Sequence, residues 1–243
     1  MPTGIIINAL SIFIGGLIGA AVGKKISSDF KEKINMIFGA CSMGMGISAI
    51  ALMENMPAVI FAVILGTVLG LAIRLGDRIH AAGRGMQRII GKFIKNNNST
   101  VSEEEFMATL VTVIVLFCAS GTGIYGSIVS GMSGDHSILI AKSILDLFTA
   151  LIFACTLGAV VSAIAIPQFI IFLILFLGAG LIFPLTTPSM INDFKACGGF
   201  IMLATGFRMI NVKMFPTADM IPSMILVMPF SWLWTTYILP LVS

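Results

Sequence analysis

Apolar residues come in blocks of about 20 along this chain, each closed by a short polar or glycine-rich turn, the length and punctuation of helices that cross a bilayer. The first block covers residues 4–23 and places Gly15, Gly19 and Gly23 at four-residue spacing. Small residues at that interval make a flat strip that lets another backbone approach, within the protomer or across a dimer. The polar run KKISSDFKEK (24–33) precedes a second span over 34–53, and Glu54-Asn55 and Pro57 then open a third that ends near Leu75. From Phe106 the chain is apolar for only about 14 residues before Ser120-Gly121-Thr122-Gly123, so a broken or re-entrant fourth segment is expected. A fifth helix is predicted over 137–166, longer than a bilayer is thick. Pro167 starts a sixth that stops before Phe183-Pro184, and residues 194–212 and 218–239 supply the last two, with Trp232, Trp234 and Tyr237 as an interfacial girdle.

The pattern predicts an all-α polytopic membrane protein of about eight transmembrane segments in a single domain over 1–243. Composition agrees: 58% of residues are hydrophobic and 10% charged, where a soluble domain carries about 25% charged residues. No alternating strands of a barrel are seen, and the lipid bilayer, not nucleic acid, is the expected partner. Cys41, Cys118, Cys155 and Cys197 lie singly in apolar stretches, which suits packing rather than disulfide or zinc chemistry. No metal-ligand spacing and no nucleophile–base pattern points to an enzyme or a bound cofactor.

Charge placement sets the orientation. The linker over 76–105 is basic, with Ile79, Met86, Ile90 and Phe93 at helical spacing, as in an amphipathic helix lying on an anionic membrane surface. Ser102 and Glu105 after it have the spacing of a capping box. Twelve of the 14 lysines and arginines fall on the side of this linker; Lys142 lies in the membrane and Lys195 near the other face. The positive-inside rule then puts the linker in the cytoplasm and both termini outside. The first span has its basic flank after it, so it is expected to stay as a helix.

An internal echo accompanies this topology. GACSMGMGISAI (39–50) and GFIMLATGFRMI (199–210) share Gly39/Gly199, Gly46/Gly206 and Ile50/Ile210 at a constant offset of 160. Helices two and seven run in opposite directions in this scheme, so segments 1–3 and 6–8 would form an inverted repeat around the broken fourth segment and the long fifth helix. That is a transporter architecture.

The candidate chemistry sits between the two halves. Asp135, Lys142, Asp146, Thr149 and Thr156 step by 7, 4, 3 and 7 residues and share one helical face. An ionisable side chain inside a span costs at least ~2.5 kcal/mol to insert, so it is retained for a purpose or neutralised by a partner. Lys142 and Asp146 can pair along the helix as a structural salt bridge. Alternatively, Asp146 exchanges its lysine for a cation or proton during transport, with Ser143, Thr149 and free carbonyls around Gly121, Thr122, Gly123 and Gly126 as further ligands. The spacing of Gly121, Gly123 and Gly126 is not a dinucleotide fingerprint, because an apolar helix and not a strand precedes it. Gly134-Asp135-His136-Ser137 reads as a helix cap, with an outer gate as the functional alternative. Asn192-Asp193 reads as another cap.

Phe117-Cys118, Gly126-Ser127, Gly134-Asp135-His136-Ser137, Lys142-Ser143, Asp146 and Thr156-Leu157-Gly158 resemble the signature block of the YqgA-type bacterial membrane proteins, the family of domain of unknown function 554. The resemblance spans essentially the whole chain; Cys155 stands where a small hydroxyl residue is expected. It implies a multi-pass protein of the bacterial inner membrane, described as a possible transporter or sodium channel or pump. Together, residues and resemblance lead to a secondary transporter of small solutes or ions, with sodium or a proton as candidate coupling ion and a site of Asp146, Lys142, Ser143, Thr149, Gly121, Thr122, Gly123, Gly126, Ser127, Asp135 and His136. A cation channel and a non-transporting scaffold or regulator are the alternatives. The glycine strip makes a homodimer the expected assembly.

Overall fold

A computed structural model describes residues 1–22, 27–93 and 103–242. Among these residues there are helices and no strands. In chain order they are α1 (Thr3–Val22), α2 (Ser28–Ile50), α3 (Met56–Ala72), α4 (Leu75–Phe93), α5 (Glu103–Cys118), α6 (Gly121–Ser133), α7 (Ser137–Leu157), α8 (Val160–Ala163), α9 (Ala165–Ile182), α10 (Pro188–Met209), α11 (Pro222–Leu233) and α12 (Leu239–Val242). A 3₁₀ turn at Phe183–Leu185 and a π turn at Trp234–Ile238 complete the described elements. Among the described residues six helical stretches are long and apolar enough to cross a membrane, or seven if Met56–Ala72 and Leu75–Arg88 are taken together as one span. The difference from eight lies partly in α10, which carries Asn192, Asp193, Lys195 and Arg208 along its 22 residues and is not among them. Gly23 of the first glycine strip and Ser102 of the predicted capping box lie outside the described residues.

Local chemistry explains where the helices stop. Ser120 caps α6, its hydroxyl accepting from the Gly123 amide at 3.1 Å, so the fourth segment restarts one residue past a short break. Gly134 ends α6 at φ +72°. The predicted fifth helix is shorter than 137–166. It stops at Leu157, because Gly158 adopts φ +75° and ψ −160°, a region open essentially only to glycine. The short α8 and then α9 follow.

The packing resolves two compact units, each interleaved along the chain. The first comprises Met1–Asn35 and Asp77–Gly180. In it α1 lies along α7, because Gly15 and Gly19 abut the carbonyls of Leu147 and Leu151 with no room for a side chain. At Gly15 and Gly19 the expected strip is thus filled within the protomer. The apolar core below it joins Ile12, Leu110, Ile114, Phe117, Ala150 and Val161. The amphipathic α4 turns Gly83 and Met86 toward this core, Gly83 meeting Val111 and Val115 of α5.

The second unit comprises Met36–Gly76 and Leu181–Ser243. Here α3 packs on α11 and α10 on both. The crossing of α2 and α10 is glycine on glycine. A methyl group on Gly46 would sit 2.7 Å from the Gly199 carbonyl, and one on Gly199 would sit 2.7 Å from the Gly46 carbonyl. Gly206 meets the Gly39 carbonyl in the same way, also at 2.7 Å. Because the partner numbers fall as the residue numbers rise, the two helices are antiparallel. Between the glycine pairs the Ser42 hydroxyl donates to the Met202 carbonyl at 3.0 Å.

Candidate functional site

Lys142 and Asp146 are one turn apart on α7, and their side chains meet: Nζ lies 2.5 Å from Oδ2, with the side chains 5% and 9% exposed. The pair is not alone. Asn8 of α1, fully buried, donates from Nδ2 to the same Asp146 Oδ2 at 2.7 Å. Gln168 of α9, also fully buried, donates from Nε2 to Asn8 Oδ1 at 2.6 Å. Gln168 Oε1 accepts nothing among the described residues. Lys142 Nζ stands 6.0 Å from the Phe117 ring centroid, at the outer reach of a cation–π contact. An ammonium, a carboxylate and two carboxamides are thereby linked across α1, α7 and α9 inside an apolar bundle. Close approach of α1 at Gly15 and Gly19 is what lets so short a side chain as Asn8 reach α7.

The other candidates divide. Thr149 is buried one turn beyond Asp146 on the same face. Ser143 is buried but donates to the Leu139 carbonyl of its own helix at 2.6 Å. Gly121, Thr122, Gly123, Gly126 and Ser127 are buried within α6, and the Gly123 carbonyl accepts from Ser127 Oγ at 2.7 Å. The expected loosened backbone with free carbonyls is therefore replaced by regular helix, the break falling just before it. These glycines admit neighbours: Gly123 faces the Phe172 ring, Gly126 lies against Ile138 and Leu139, and Gly131 against the Phe176 carbonyl. Asp135 is not on the α7 stripe, because α7 begins at Ser137. Its carboxylate accepts from the Ser137 amide at 3.0 Å and the Ser137 hydroxyl at 2.6 Å, a side-chain turn at the entry to α7, whose N-cap residue is His136. His136 Nδ1 is 2.6 Å from Ser130 Oγ, tying the start of α7 to the end of α6.

Sequence reasoning missed three residues. Asn8 and Gln168 are single amides in apolar runs, and nothing local flags them. Asp193 was expected to cap α10, but Thr187 does that, its hydroxyl accepting from the Met190 amide at 3.3 Å. Asp193 lies a turn further in and is fully buried. Its Oδ1 accepts from the Glu54 and Asn55 amides, each at 2.9 Å. Its Oδ2 accepts from Asn55 Nδ2 at 2.8 Å and Ser231 Oγ at 2.6 Å. The Thr187-Pro188 pair is the signal that could have found it, since a helix has one N-cap and Asp193 is past it.

Repeated apolar helices with a buried charged network define a multi-pass helical membrane protein. Residues 3–232 match the family described as "Protein of unknown function (DUF554)", and the chain belongs to that family. It is 44% identical over 237 residues to the "Uncharacterized protein YqgA" of Escherichia coli (strain K12), covering 98% of this chain and 99% of that one. It is also 26% identical over 223 residues to the "Uncharacterized membrane protein YdfK" of Bacillus subtilis (strain 168), covering 92% and 93% of the two chains. No solved structure matches it.

Proposed function

We propose that this protein is a secondary transporter of small solutes or ions in the bacterial inner membrane, cation-coupled and working by alternating access around Asp146. The observation that carries the reading is the buried network itself. Each ionisable group within a span costs about 2.5–3.5 kcal/mol to insert, and replacing a buried ion pair by apolar residues is often neutral or stabilising. A pair held solely for stability has cheaper substitutes, whereas a carboxylate that trades its lysine for a cation or proton has none.

An inverted repeat of α1–α3 and α9–α11 fits this role. At the one offset of 160, Val22 and Ile182 both end helices, and Ser28 and Pro188 both begin them. The contact of Gly39 with Ile210 has its counterpart in that of Gly199 with Ile50. The antiparallel packing of α2 on α10 at this offset is what an inverted repeat requires of that pair. The basic linker then lies in the cytoplasm and both termini outside. A cation channel built on exposed glycine carbonyls has less support, because Gly121–Gly126 is helical.

The test is gradient-driven uptake into proteoliposomes, screened over sodium and proton gradients. Asp146→Asn should abolish uptake while the protein still purifies as a single species. Wild-type uptake in that variant would remove Asp146 from the mechanism.

A further inference from the structure

We infer that Asn8 and Gln168 are a reciprocating pair of positioning residues that pass the Asp146 carboxylate from one repeat to the other as the protein changes state. The inference rests on the inverted-repeat part of the proposed function. Asn8 and Gln168 are separated by 160 residues, the same offset as Ser42 and Met202. In each of these two contacts, a residue touches its own counterpart in the other half. The Asn8–Gln168 contact lies wholly within the first unit and the Ser42–Met202 contact wholly within the second, so each unit by itself brings a residue onto its counterpart. Asp146 belongs to the central segment between the repeats, so it has no second copy. One carboxylate is therefore served by two equivalent amides.

The hydrogen bonds run one way. An ionised carboxylate only accepts, so Asn8 must present its NH₂ to Asp146, which turns Oδ1 toward Gln168 and obliges Gln168 to present its own NH₂. The order of donation is Gln168 to Asn8 to Asp146, and Gln168 Oε1 is left over, fully buried and with no partner among the described residues. Exchanging the roles of the two repeats reverses the chain. Asn8 Nδ2 then donates to Gln168 Oε1, and Gln168 Nε2, freed from Asn8, donates to Asp146. The atom that is orphaned in one arrangement is the acceptor in the other. Gln168 has one methylene more than Asn8, which gives it the reach.

A static polar clamp has no use for the orphan oxygen, since a buried acceptor without a donor is destabilising. A two-state element does: the exchanged arrangement satisfies Gln168 Oε1 and orphans the matching oxygen of Asn8. The two states are then close in energy, as alternating access requires.

The test is hydrogen–deuterium exchange of the full chain in nanodiscs, following peptides from α1 and α9 in the wild type, Asn8→Leu, Gln168→Leu and the swap Asn8→Gln/Gln168→Asn. Asn8→Leu removes the present holder of Asp146, and Gln168→Leu removes its rival. The ratio of α1 to α9 exchange should therefore move in opposite directions in the two variants, by roughly tenfold for a lost hydrogen bond of ordinary strength. Shifts in the same direction, or no shift beside a lowered melting temperature, would overturn the proposal. Should a leucine variant fail to fold, the swap keeps both amides and must still move the ratio; an unchanged ratio overturns the pair. No substrate is needed, so the outcome separates from the uptake assay. Opposite shifts with no uptake would sink the transporter alone, and same-direction shifts with normal uptake would sink the pair alone.

Discussion

The two buried carboxylates, one in each compact unit, are held in opposite ways. Asp193 uses both oxygens, accepts four hydrogen bonds, and takes two of them from backbone amides of the turn before α3. No ion pair to it forms among the described residues. Asp146 gathers Lys142 and Asn8 on the one oxygen, and both donors are side chains. Backbone donors cannot leave without unfolding a turn, whereas side-chain donors can rotate away. Asp193 is built as a latch that fixes α10 to the α2–α3 turn, and Asp146 as a group whose partners can be replaced. Burial alone does not tell the two apart; the nature of the donors does.

Removing the latch should have the largest effect. Asp193→Ala strands up to four donors, each costing ~1–3 kcal/mol when buried and unpaired, against a total stability of about 5–15 kcal/mol. The expected outcome is loss of the monodisperse folded species in detergent, read by size exclusion and thermal unfolding. A variant that purifies normally, with a melting temperature within a few degrees of wild type, would show that the four hydrogen bonds are not what holds the second unit together.

Next comes the ion pair. Lys142→Met leaves Asp146 buried without its counter-charge and should cost ~3–5 kcal/mol. The triple variant Lys142→Met/Asp146→Leu/Asn8→Leu should recover most of that loss, since apolar residues replace the buried charges and no Asn8 donor is left without its acceptor. Uptake should be absent from both. Recovery of stability without recovery of uptake is the signature of groups retained for work. A triple variant as unstable as Lys142→Met alone would make the pair structural, like Asp193.

Glycine packing sharpens the contrast at a smaller scale. Gly15→Ala drives a methyl group into the Leu147 carbonyl and pushes α1 off α7, stretching the Asn8–Asp146 hydrogen bond. Gly46→Ala does the same at the Gly199 carbonyl in the second unit. Each should cost ~1–3 kcal/mol as overpacking. Gly44, with nothing within 4 Å of an added methyl, is the control, and Gly44→Ala should be stabilising by roughly 0.5–1 kcal/mol. Thermal unfolding and uptake measured on the same preparations should separate the sites, with Gly15→Ala losing the larger share of uptake per degree of stability lost.

How far the sequence announces this arrangement depends on the range of each interaction. Helix boundaries follow local signals, and Ser120, Gly134, Thr187-Pro188 and Pro57 each mark an end that the fold uses. The Lys142–Asp146 pair was legible because both partners are on one helix, four residues apart. Asn8 and Gln168 were not, since their meaning lies in a contact 160 residues long and a lone amide in an apolar run carries no periodicity. Gly158 is ambiguous in the sequence for a different reason: glycine inside an apolar run fits either a packing contact or a chain break, and only its φ of +75° decides. The glycines of α6 were read as a break when they are packing positions, the same ambiguity resolved the other way.

The smallest expected effect comes from a pair with the same spacing in the opposite environment. Asp29 and Lys33 of α2 also sit four apart, with Oδ2 and Nζ at 2.9 Å, but their side chains are 73% and 72% exposed. In water the attraction is screened and offset by the entropy of holding two long side chains, so an exposed pair at this spacing contributes about 0.3–0.5 kcal/mol. Asp29→Asn should move the melting temperature by no more than a degree or so and leave uptake unchanged, at low salt as well as high. The comparison with Asp146→Asn then sets burial against exposure at the same residue types and spacing, with the acid first and near the helix start in one pair and second and mid-helix in the other. If Asp29→Asn impaired uptake as severely as Asp146→Asn, burial would not be what distinguishes the working pair, and the case for Asp146 as a site would have to rest on its amide partners alone.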